Sequence, residues 1–332
     1  EEMSAKLIKM LLDTPINNYT ALSELPARIS DFEQSHGFEL NEQQREAVFG
    51  ILSSRIAILT GGPGTGKTTI TEVITNALMK AGIKFYLLSP TGKATRRLSE
   101  CTGYDAHTIH KFLNATSGDL SKCTPPVIGD NAAIIIDESS MMDTFMLNAI
   151  MGLGLKSAIR VYFIGDKDQL PSVQVGNVLS DMIGSEVIPK YVLTDIMRQS
   201  TDSHIIKYCA DINAGEMIRQ CDYDDFVYTE YFDDVDLIDD LTKNYAREVK
   251  ENGLLNVQVI TPYKGGELGT INLNKVLAQE VNKIHKRYKS GFAVNDKVMQ
   301  IRNDYSHNIF NGECGVIIDI KEDSEGLPYK YD

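Results

Sequence analysis

The sequence has 332 residues, of which 42% are hydrophobic and 24% charged, and its formal net charge is −13. These values are typical of a soluble globular protein of about two domains. No apolar run approaches the roughly 20 residues that span a bilayer and no secretory signal is present, so a membrane protein is not expected. The acidic balance does not exclude nucleic acid as a partner, because binding needs only a local basic or polar groove.

Residues 1–37 are expected to form an N-terminal helical cap, built of short amphipathic helices broken at Pro15 and Pro26. From Leu40 onward, apolar runs alternate with helical stretches. This order predicts an α/β fold in which helices cover both faces of a mostly parallel sheet. The predicted strands are Ile56–Thr60, Phe85–Ser89, Ala133–Asp137, Val161–Gly165 and Tyr191–Leu193, and the predicted helices follow Lys67, Gly92, Asp143 and Asn177.

The most informative stretch is the run Ile56-Ala-Ile-Leu-Thr-Gly-Gly-Pro-Gly-Thr-Gly-Lys-Thr-Thr69. It fits G-x-x-x-x-G-K-[ST], with a predicted strand before it and a helix after it, as a phosphate-binding loop requires. Glycines let backbone N–H groups close around a phosphate, Lys67 can reach the β- and γ-phosphates, and the Thr68 hydroxyl can bind Mg²⁺. The predicted nucleotide contacts are Gly61, Gly62, Pro63, Gly64, Thr65, Gly66, Lys67, Thr68 and Thr69. The sequence therefore predicts binding of ATP with Mg²⁺.

A second predicted strand ends in two carboxylates, Asp137 and Glu138. Opposite a phosphate loop, Asp137 is expected to bind Mg²⁺, and Glu138 to orient or deprotonate the attacking water. The alternative is that these acids only cap the following helix.

Two further polar residues follow later strands. Gln169 is expected to contact the γ-phosphate or the lytic water, although the same segment also suits a strand-to-loop turn closed by Pro171. Arg198 is expected to stabilise the transition-state charge; its alternative is a surface ion pair.

The pattern changes after residue 215. The acidic run from Cys221 to Asp240 is expected to be a solvated loop and the start of a helix. A strand over Val257–Thr261 and a helix over Leu268–Val281 are predicted next. Two strands, Asp296–Asn303 and Gly315–Ile320, bracket the hairpin-type turn signal Asn311-Gly312 and predict the start of a small β unit.

Taken together, these segments resemble the RecD-like branch of superfamily 1 DNA helicases. The resemblance covers roughly residues 38 to 320, and its most specific block is Asp137-Glu-Ser-Ser-Met-Met-Asp143. The other matching blocks are Leu40–Val48, the phosphate loop, Ser89–Ala94, Thr108–His110, Gly165–Pro171, Met197–Gln199, Ile260–Lys264, Gly269–Asn274, Val298–Asn303 and Asn311-Gly312.

The resemblance implies two RecA-like P-loop domains and part of a small SH3-like β barrel. The expected boundaries are residues 38–215 for the first domain, with a short insertion near 112–130, residues 216–290 for a partial second domain, and residues 291–332 for the barrel. It also implies an ATP-driven motor that moves 5′ to 3′ on single-stranded DNA in repair or recombination. In such proteins the residue at the position of Gln44 reads the adenine.

The sequence departs from the family pattern in two places. The segment Asn114–Val127 is short and lacks the strand pattern of a duplex-splitting pin. The last helicase motifs, which carry a second catalytic arginine and a Gln-Gly contact to DNA, are not found. We therefore expect this chain alone to bind nucleotide but hydrolyse it slowly, below the range of about 1–100 s⁻¹ with DNA.

Single-stranded DNA is expected to contact polar, basic and aromatic residues at the strand ends. The candidates are Pro90, Thr91, Lys93, His107, His110, Tyr263 and Lys264. A buried structural role is the alternative for His110. The resemblance further implies a monomer that can join the subunits of a nuclease complex.

Two other functions stay open. The chain could be a P-loop ATPase that does not unwind DNA, or a non-catalytic nucleotide- or DNA-binding subunit of a larger nuclease complex. The five cysteines are scattered without a C-x-x-C pair, so neither a zinc site nor a disulfide framework is predicted, and a reducing cytoplasm is expected.

Overall fold

The structure is a computed structural model, and it describes residues 2–14, 24–115, 120, 123–154, 159–195, 203–283, 291–302, 304, 307, 309 and 311–320. The chain divides into two compact units, Glu1–Ile218 and Arg219–Asp332, here called the first and second unit. No helix in the described part of the chain is long and apolar enough to cross a membrane.

The first unit is built on a six-stranded parallel sheet in the order β3-β2-β4-β5-β1-β6. Its strands are β1 (Ile56–Gly61), β2 (Phe85–Ser89), β3 (Ala106–Thr108), β4 (Ala133–Ile136), β5 (Arg160–Gly165) and β6 (Lys190–Leu193). The α/β fold class and the parallel sheet predicted from the sequence are confirmed. Strand β3 was not predicted; it is three residues long and pairs with β2 from Leu87↔Ala106 to Ser89↔Thr108.

Helices cover both faces of this sheet. The helices described in the first unit are α1 (Glu2–Leu12), α2 (Leu25–His36), α3 (Glu42–Leu52), α4 (Lys67–Lys80), α5 (Gly92–Thr102), α6 (Ile109–Phe112), α7 (Thr144–Gly154), α8 (Val178–Gly184) and α9 (His204–Asn213), and α9 has no buried residue. Alternate residues of β1 show the two faces. Ile56 and Ile58 enter a core with residues of α1, α7 and α8, whereas Ala57 and Leu59 enter a core with residues of α2, α3 and α4.

The N-terminal helices take part in these cores. Leu7 and Leu11 of α1 belong to one core, and Ile29 and Phe32 of α2 belong to the other. Pro26 lies in the first turn of α2, where proline is well tolerated, so α2 begins there and is not broken by it. Pro15, the other predicted break, lies outside the described residues.

The described residues of the second unit form short antiparallel pairs and two helices. Its elements are β7 (Cys221–Asp222), β8 (Val227–Tyr228), α10 (Asp234–Asn252), α11 (Thr270–Val281), β9 (Lys297–Met299) and β10 (Cys314–Val316). β7 pairs with β8, β9 pairs with β10, and α10 packs against α11. The predicted pair of strands around Asn311-Gly312 is present but shorter than predicted.

The strand predicted over Val257–Thr261 is wrong, because this segment is irregular in the structure. An alternating pattern becomes a strand only where a neighbour accepts and donates its backbone hydrogen bonds. No described segment of the second unit pairs with Val257–Thr261. In the predicted insertion at 112–130, the described residues contain no strand.

Candidate nucleotide site

The site lies at the carboxyl edge of the sheet, where the neighbouring strands β4, β5 and β1 end together. The phosphate loop follows β1, Asp137 and Glu138 follow β4, and Asp166 follows β5. The register Thr60↔Gly165 and Ile136↔Phe163 keeps these ends level. Parallel strand order therefore brings the loop and the acids to one edge, which is where open α/β sheets bind ligands.

The phosphate loop depends on its glycines. A Cβ added at Gly61 would lie 2.7 Å from the Leu193 carbonyl oxygen and 2.7 Å from Thr65 Oγ1. Gly64 and Gly66 have φ of 76° and 89°, a region that side chains disfavour. The Thr65 hydroxyl donates to the Gly62 carbonyl at 2.9 Å. Gly66 precedes α4 without a capping side chain, so backbone N–H groups at the start of α4 remain available to an anion.

Lys67, the first residue of α4, folds back over this loop. Its Nζ donates to the carbonyl oxygens of Gly61 at 2.5 Å and Gly62 at 3.0 Å. Burial lowers the pKa of Lys67, and the charges of Asp166, Glu138 and Asp137 oppose that shift. A phosphate entering the loop would compete with two neutral carbonyls for this ammonium group and would offer it a full negative charge.

Asp137 is a half-buried carboxylate whose charge is poorly compensated. Burial, reinforced by the charge of Glu138, raises its pKa to about 6. A divalent cation beside it would offset this loss of hydration. The half-buried Thr68 hydroxyl makes no hydrogen bond within the described residues, and hydroxyl and carboxylate oxygens are donors that Mg²⁺ prefers.

No group of three or more acidic, histidine or cysteine side chains among the described residues could hold a metal alone. This fits Mg²⁺, which commonly uses one or two protein ligands together with phosphate and water.

Glu138 has a strained backbone, with φ of 52° and ψ of 40°. A non-glycine residue in this region costs about 1–3 kcal/mol and persists where its surroundings fix it. Here the buried Ser139 hydroxyl donates to the Ile164 carbonyl at 2.9 Å. A Cβ at Gly165 would lie 2.7 Å from that hydroxyl, so Gly165 makes this close approach possible. The strain at Glu138 is thus held by contacts to β5.

Asp166 is a member of the site that the sequence did not assign. It is 3% exposed, its carboxylate accepts from the Asp168 N–H at 3.0 Å, and its charge opposes the lowering of the Lys67 pKa by burial. The signal was a strand ending in Gly-Asp, but strand order was needed to place it beside the phosphate loop. Gln169 is exposed, and its N–H donates to the Asp166 carbonyl at 3.3 Å.

Gln44 lies beneath the phosphate loop. It is 1% exposed, its Nε2 donates to the Thr65 carbonyl at 3.2 Å, and its Oε1 accepts from the Asn41 N–H at 3.1 Å. Asn41 completes a capping box at the start of α3. Contact with adenine stays a prediction for Gln44. Arg198 lies outside the described residues.

The residues predicted to contact DNA fall in both units. Pro90, Thr91, Lys93, His107 and His110 follow or lie in β2, β3 and the helices after them. The Thr91 hydroxyl caps α5 by accepting from the Ala94 N–H at 3.3 Å, and Lys93 is exposed.

The ring of His107 is half-buried. Burial lowers the pKa of this ring, and the positive charge of Lys111 lowers it further. Tyr263 and Lys264 are exposed in an irregular segment of the second unit.

Comparison with known families decides the class of this chain. Residues 39–226, more than half of the sequence, match the family described as AAA domain. Residues 272–329 match the family described as ATP-dependent RecD-like DNA helicase SH3 domain. The chain belongs to the AAA domain family and is a RecD-like member. This confirms the resemblance predicted from the motifs, and membership of the family implies nucleotide binding.

Individual relatives agree with this assignment. The chain is 34% identical to the ATP-dependent RecD2 DNA helicase of Deinococcus radiodurans over 285 residues, which are 84% of this chain and 38% of that protein. It is 25% identical to the RecBCD enzyme subunit RecD of Mycobacterium tuberculosis over an alignment of 342 residues, which covers 89% of this chain and 58% of that protein. The chain thus spans less than two thirds of the length of either relative.

Among solved structures, the Pif1 helicase from Candida albicans is 19% identical with a TM-score of 0.44, over 87% of this chain and 70% of that one. A likeness of this size supports no further conclusion.

Proposed function

We propose that this chain is the ATP-hydrolysing part of a RecD-like DNA helicase that moves 5′ to 3′ on single-stranded DNA in repair or recombination. The observation that carries the proposal is the meeting of Lys67, Asp137, Glu138 and Asp166 at one edge of the sheet. A phosphate loop alone would support only nucleotide binding. The strained acid beside it adds a group suited to activating water.

In the proposed reaction, backbone N–H groups at the start of α4 and the Lys67 ammonium bind the β- and γ-phosphates. Glu138 orients a water molecule or takes its proton as the water oxygen attacks the γ-phosphorus and the bond to ADP breaks. Gln169 contacts the γ-phosphate or that water, and Arg198 stabilises the developing charge. Thr68 and Asp137 would bind Mg²⁺, which neutralises phosphate charge when it is present.

Single-stranded DNA is proposed to bind through Pro90, Thr91, Lys93, His107 and His110, with Tyr263 and Lys264 as contacts from the second unit. The carboxyl end of β2 links the proposed DNA contacts to the nucleotide site. Thr91 follows β2, and the Asp137 N–H donates to the Leu88 carbonyl of β2 at 2.9 Å. A shift of β2 would therefore reach both the DNA contacts and Asp137. The relatives' names support DNA as the polymer.

The test measures ATP hydrolysis by the chain with and without single-stranded DNA, with Lys67→Ala as the blank. We expect DNA to raise the rate severalfold, whatever its absolute size, and the blank to lose both rates. Unwinding of duplexes with a 5′ or a 3′ tail then tests direction, and only the 5′ tail should support it. Hydrolysis that ignores DNA would contradict the proposal and favour a P-loop ATPase without unwinding activity.

A second candidate is a non-catalytic subunit of a nuclease complex, suggested by the RecBCD subunit among the relatives. The presence of Lys67, Asp137 and Glu138 at one edge favours the enzyme. Binding of nucleotide with no turnover in any condition would favour the subunit.

A further inference from the structure

Arg97 is a cation near the nucleotide site that the proposed reaction does not yet use. It lies in the second turn of α5, the helix that begins directly after β2. β2 is the neighbour of β4, and Leu88 accepts from the Asp137 N–H at 2.9 Å. α5 also packs against α4, which begins at Lys67. Arg97 is therefore carried by the helix that lies beside both the acidic strand end and the phosphate-loop helix.

Arg97 and its neighbour Arg96 differ in their partners. Arg96 Nε donates to Glu100 Oε1 at 3.0 Å, one turn along the same helix. Arg97 makes no hydrogen bond or ion pair within the described residues, and its side chain is exposed. An exposed arginine has several rotatable bonds, so its guanidinium can reach a ligand at the mouth of the site.

The charge of Arg97 acts on both sides of the site. Burial is the main influence on the pKa values of Lys67 and Asp137, but Arg97 also lowers both. These are the smallest contributions to each pKa shift, and they agree with the packing of α5 against α4 and with the pairing of β2 and β4.

The site carries an excess of negative charge, which a further cation would offset. Asp137, Glu138 and Asp166 place three carboxylates near Lys67. A nucleoside triphosphate brings further negative charge, most of it on the terminal phosphate. A planar guanidinium can donate two parallel hydrogen bonds to phosphate oxygens, which a single ammonium group cannot do.

We infer that Arg97 contacts the terminal phosphate of the bound nucleoside triphosphate and thereby distinguishes the triphosphate from the diphosphate. This inference rests on the proposed function. Arg97 acts in cis from α5, and its role is separate from that of Arg198. Since Thr91 and Lys93 belong to the same helix start, a contact from α5 to the terminal phosphate would also tie the DNA-facing turn to the state of the nucleotide.

The experiment compares Arg97→Ala, Arg97→Lys and Arg96→Ala in the intact chain, with circular dichroism as the check of folding. Fluorescent ATP and ADP analogues are titrated with Mg²⁺ and without DNA. Arg97→Ala should weaken the ATP analogue by about 10-fold or more, as for loss of a hydrogen bond between charged groups. The ADP analogue should change by less than about twofold. Arg97→Lys should recover part of the loss. Arg96→Ala should leave both affinities unchanged, since exposed pairs contribute little.

The outcomes separate this inference from the proposed function. If Lys67→Ala binds ATP as the unaltered chain does, the proposed function itself fails. If Lys67→Ala loses binding and Arg97→Ala does not, only the role of Arg97 fails. Equal loss of ATP and ADP would overturn the contact to the terminal phosphate. Weaker binding of a single-stranded oligonucleotide without any change for ATP would instead make Arg97 a DNA contact and would also overturn the inference.

Discussion

The two units differ in how they bury their apolar side chains. In the first unit, every residue of β1, β4 and β5 is buried, and helices cover both faces of the sheet. In the described part of the second unit, the buried apolar side chains are Leu273, Leu277 and Ala293. The 19-residue helix α10 buries none of its residues. A parallel sheet with two covered faces thus gives a dense core, whereas short antiparallel pairs beside two helices give a small one.

This difference explains where a precise site can form. The candidate nucleotide site lies on strand ends that are fixed by neighbours on both sides, and the strain at Glu138 is held by Ser139 against β5. Sites on rigid elements keep their geometry better than sites on loops. Tyr263 and Lys264 are exposed in an irregular segment, and their carbonyl oxygens accept hydrogen bonds from the first residues of α11.

The largest expected effect compares one buried and one exposed isoleucine. Ile58 in β1 is fully buried, whereas Ile260 in the second unit is 89% exposed. Ile58→Ala should lower the free energy of unfolding by about 4 kcal/mol, because it removes methyl groups and leaves a cavity. Ile260→Ala should change it by less than about 0.5 kcal/mol. Urea unfolding followed by circular dichroism measures both, and similar losses in the two variants would contradict the comparison.

The phosphate loop offers a matched pair of glycines that tests how tightly the loop is packed. Gly61→Ala places a Cβ 2.7 Å from the Leu193 carbonyl, whereas a Cβ at Gly62 meets nothing within 4 Å. We expect Gly61→Ala to destabilise the chain by about 2 kcal/mol through overpacking. Gly62→Ala should be nearly neutral in the same thermal unfolding assay without nucleotide. A neutral Gly61→Ala would show that the loop is looser than these contacts indicate.

Two aspartates, one in each unit, should respond in opposite directions to substitution by asparagine. Asp137 has a pKa raised from 3.8 to about 6, so the folded chain binds its proton more tightly than the unfolded chain does. Stability therefore falls as the pH rises from about 4 to about 6, and the cost is fully present above that window. Asp137→Asn should stabilise the chain by about 1–3 kcal/mol at pH 8, and this gain should vanish below about pH 4.

Asp296 is the counterpart in the second unit. Its carboxylate accepts from Asn282 Nδ2 at 2.7 Å and from the Ala293 N–H at 2.9 Å. Asp296→Asn replaces one acceptor by a donor and should destabilise the chain by about 1–2 kcal/mol at pH 8. Thermal unfolding at several pH values measures both variants. A destabilised Asp137→Asn at pH 8 would mean that its charge is already compensated in the folded chain.

The smallest expected effect concerns the edge strand β6. Gln43 Nε2 donates to Thr194 Oγ1 at 2.8 Å, and its Oε1 accepts from the Thr194 N–H at 3.1 Å. These bonds join the first turn of α3 to the end of β6. Gln43→Ala should cost about 1 kcal/mol, since the bonds are exposed to water. Hydrogen exchange at Thr194 and Asp195 should rise in this variant, and unchanged exchange there would count against the contact.

The sequence predicted the central strands well because their signal is local. β1, β4 and β5 are continuous apolar runs rich in β-branched residues, bounded by glycine or acidic residues. β3 was missed because it has only three residues, with His107 in the middle. It is a strand because it pairs with β2, and that pairing has no local signal in the sequence. Val257–Thr261 failed for the opposite reason, since its pattern suits a strand but no described neighbour pairs with it.

The residues of the candidate site likewise divide into those with a local sequence signal and those placed by contacts between distant segments. Lys67 and Thr68 follow from a contiguous motif, and Asp137 follows from a strand that ends in acid. Asp166 could not be assigned from its own neighbours in sequence, because the strand order β4-β5-β1 brings it beside the phosphate loop. Tertiary contacts between distant segments supply this information, and no local pattern contains it.

The central claim is that the carboxyl edge of the sheet binds a nucleoside triphosphate with Mg²⁺ through Lys67, Thr68 and Asp137. Calorimetric titration of a non-hydrolysable ATP analogue, with Mg²⁺ and with EDTA, tests it most directly. Lys80→Ala, at the far end of α4, serves as the control for Lys67→Ala. The account predicts one site that needs Mg²⁺, is retained in Lys80→Ala and is weakened at least about 100-fold in Lys67→Ala, as expected for a lost charge-assisted contact. Binding that is the same in Lys67→Ala, or indifferent to Mg²⁺, would contradict it.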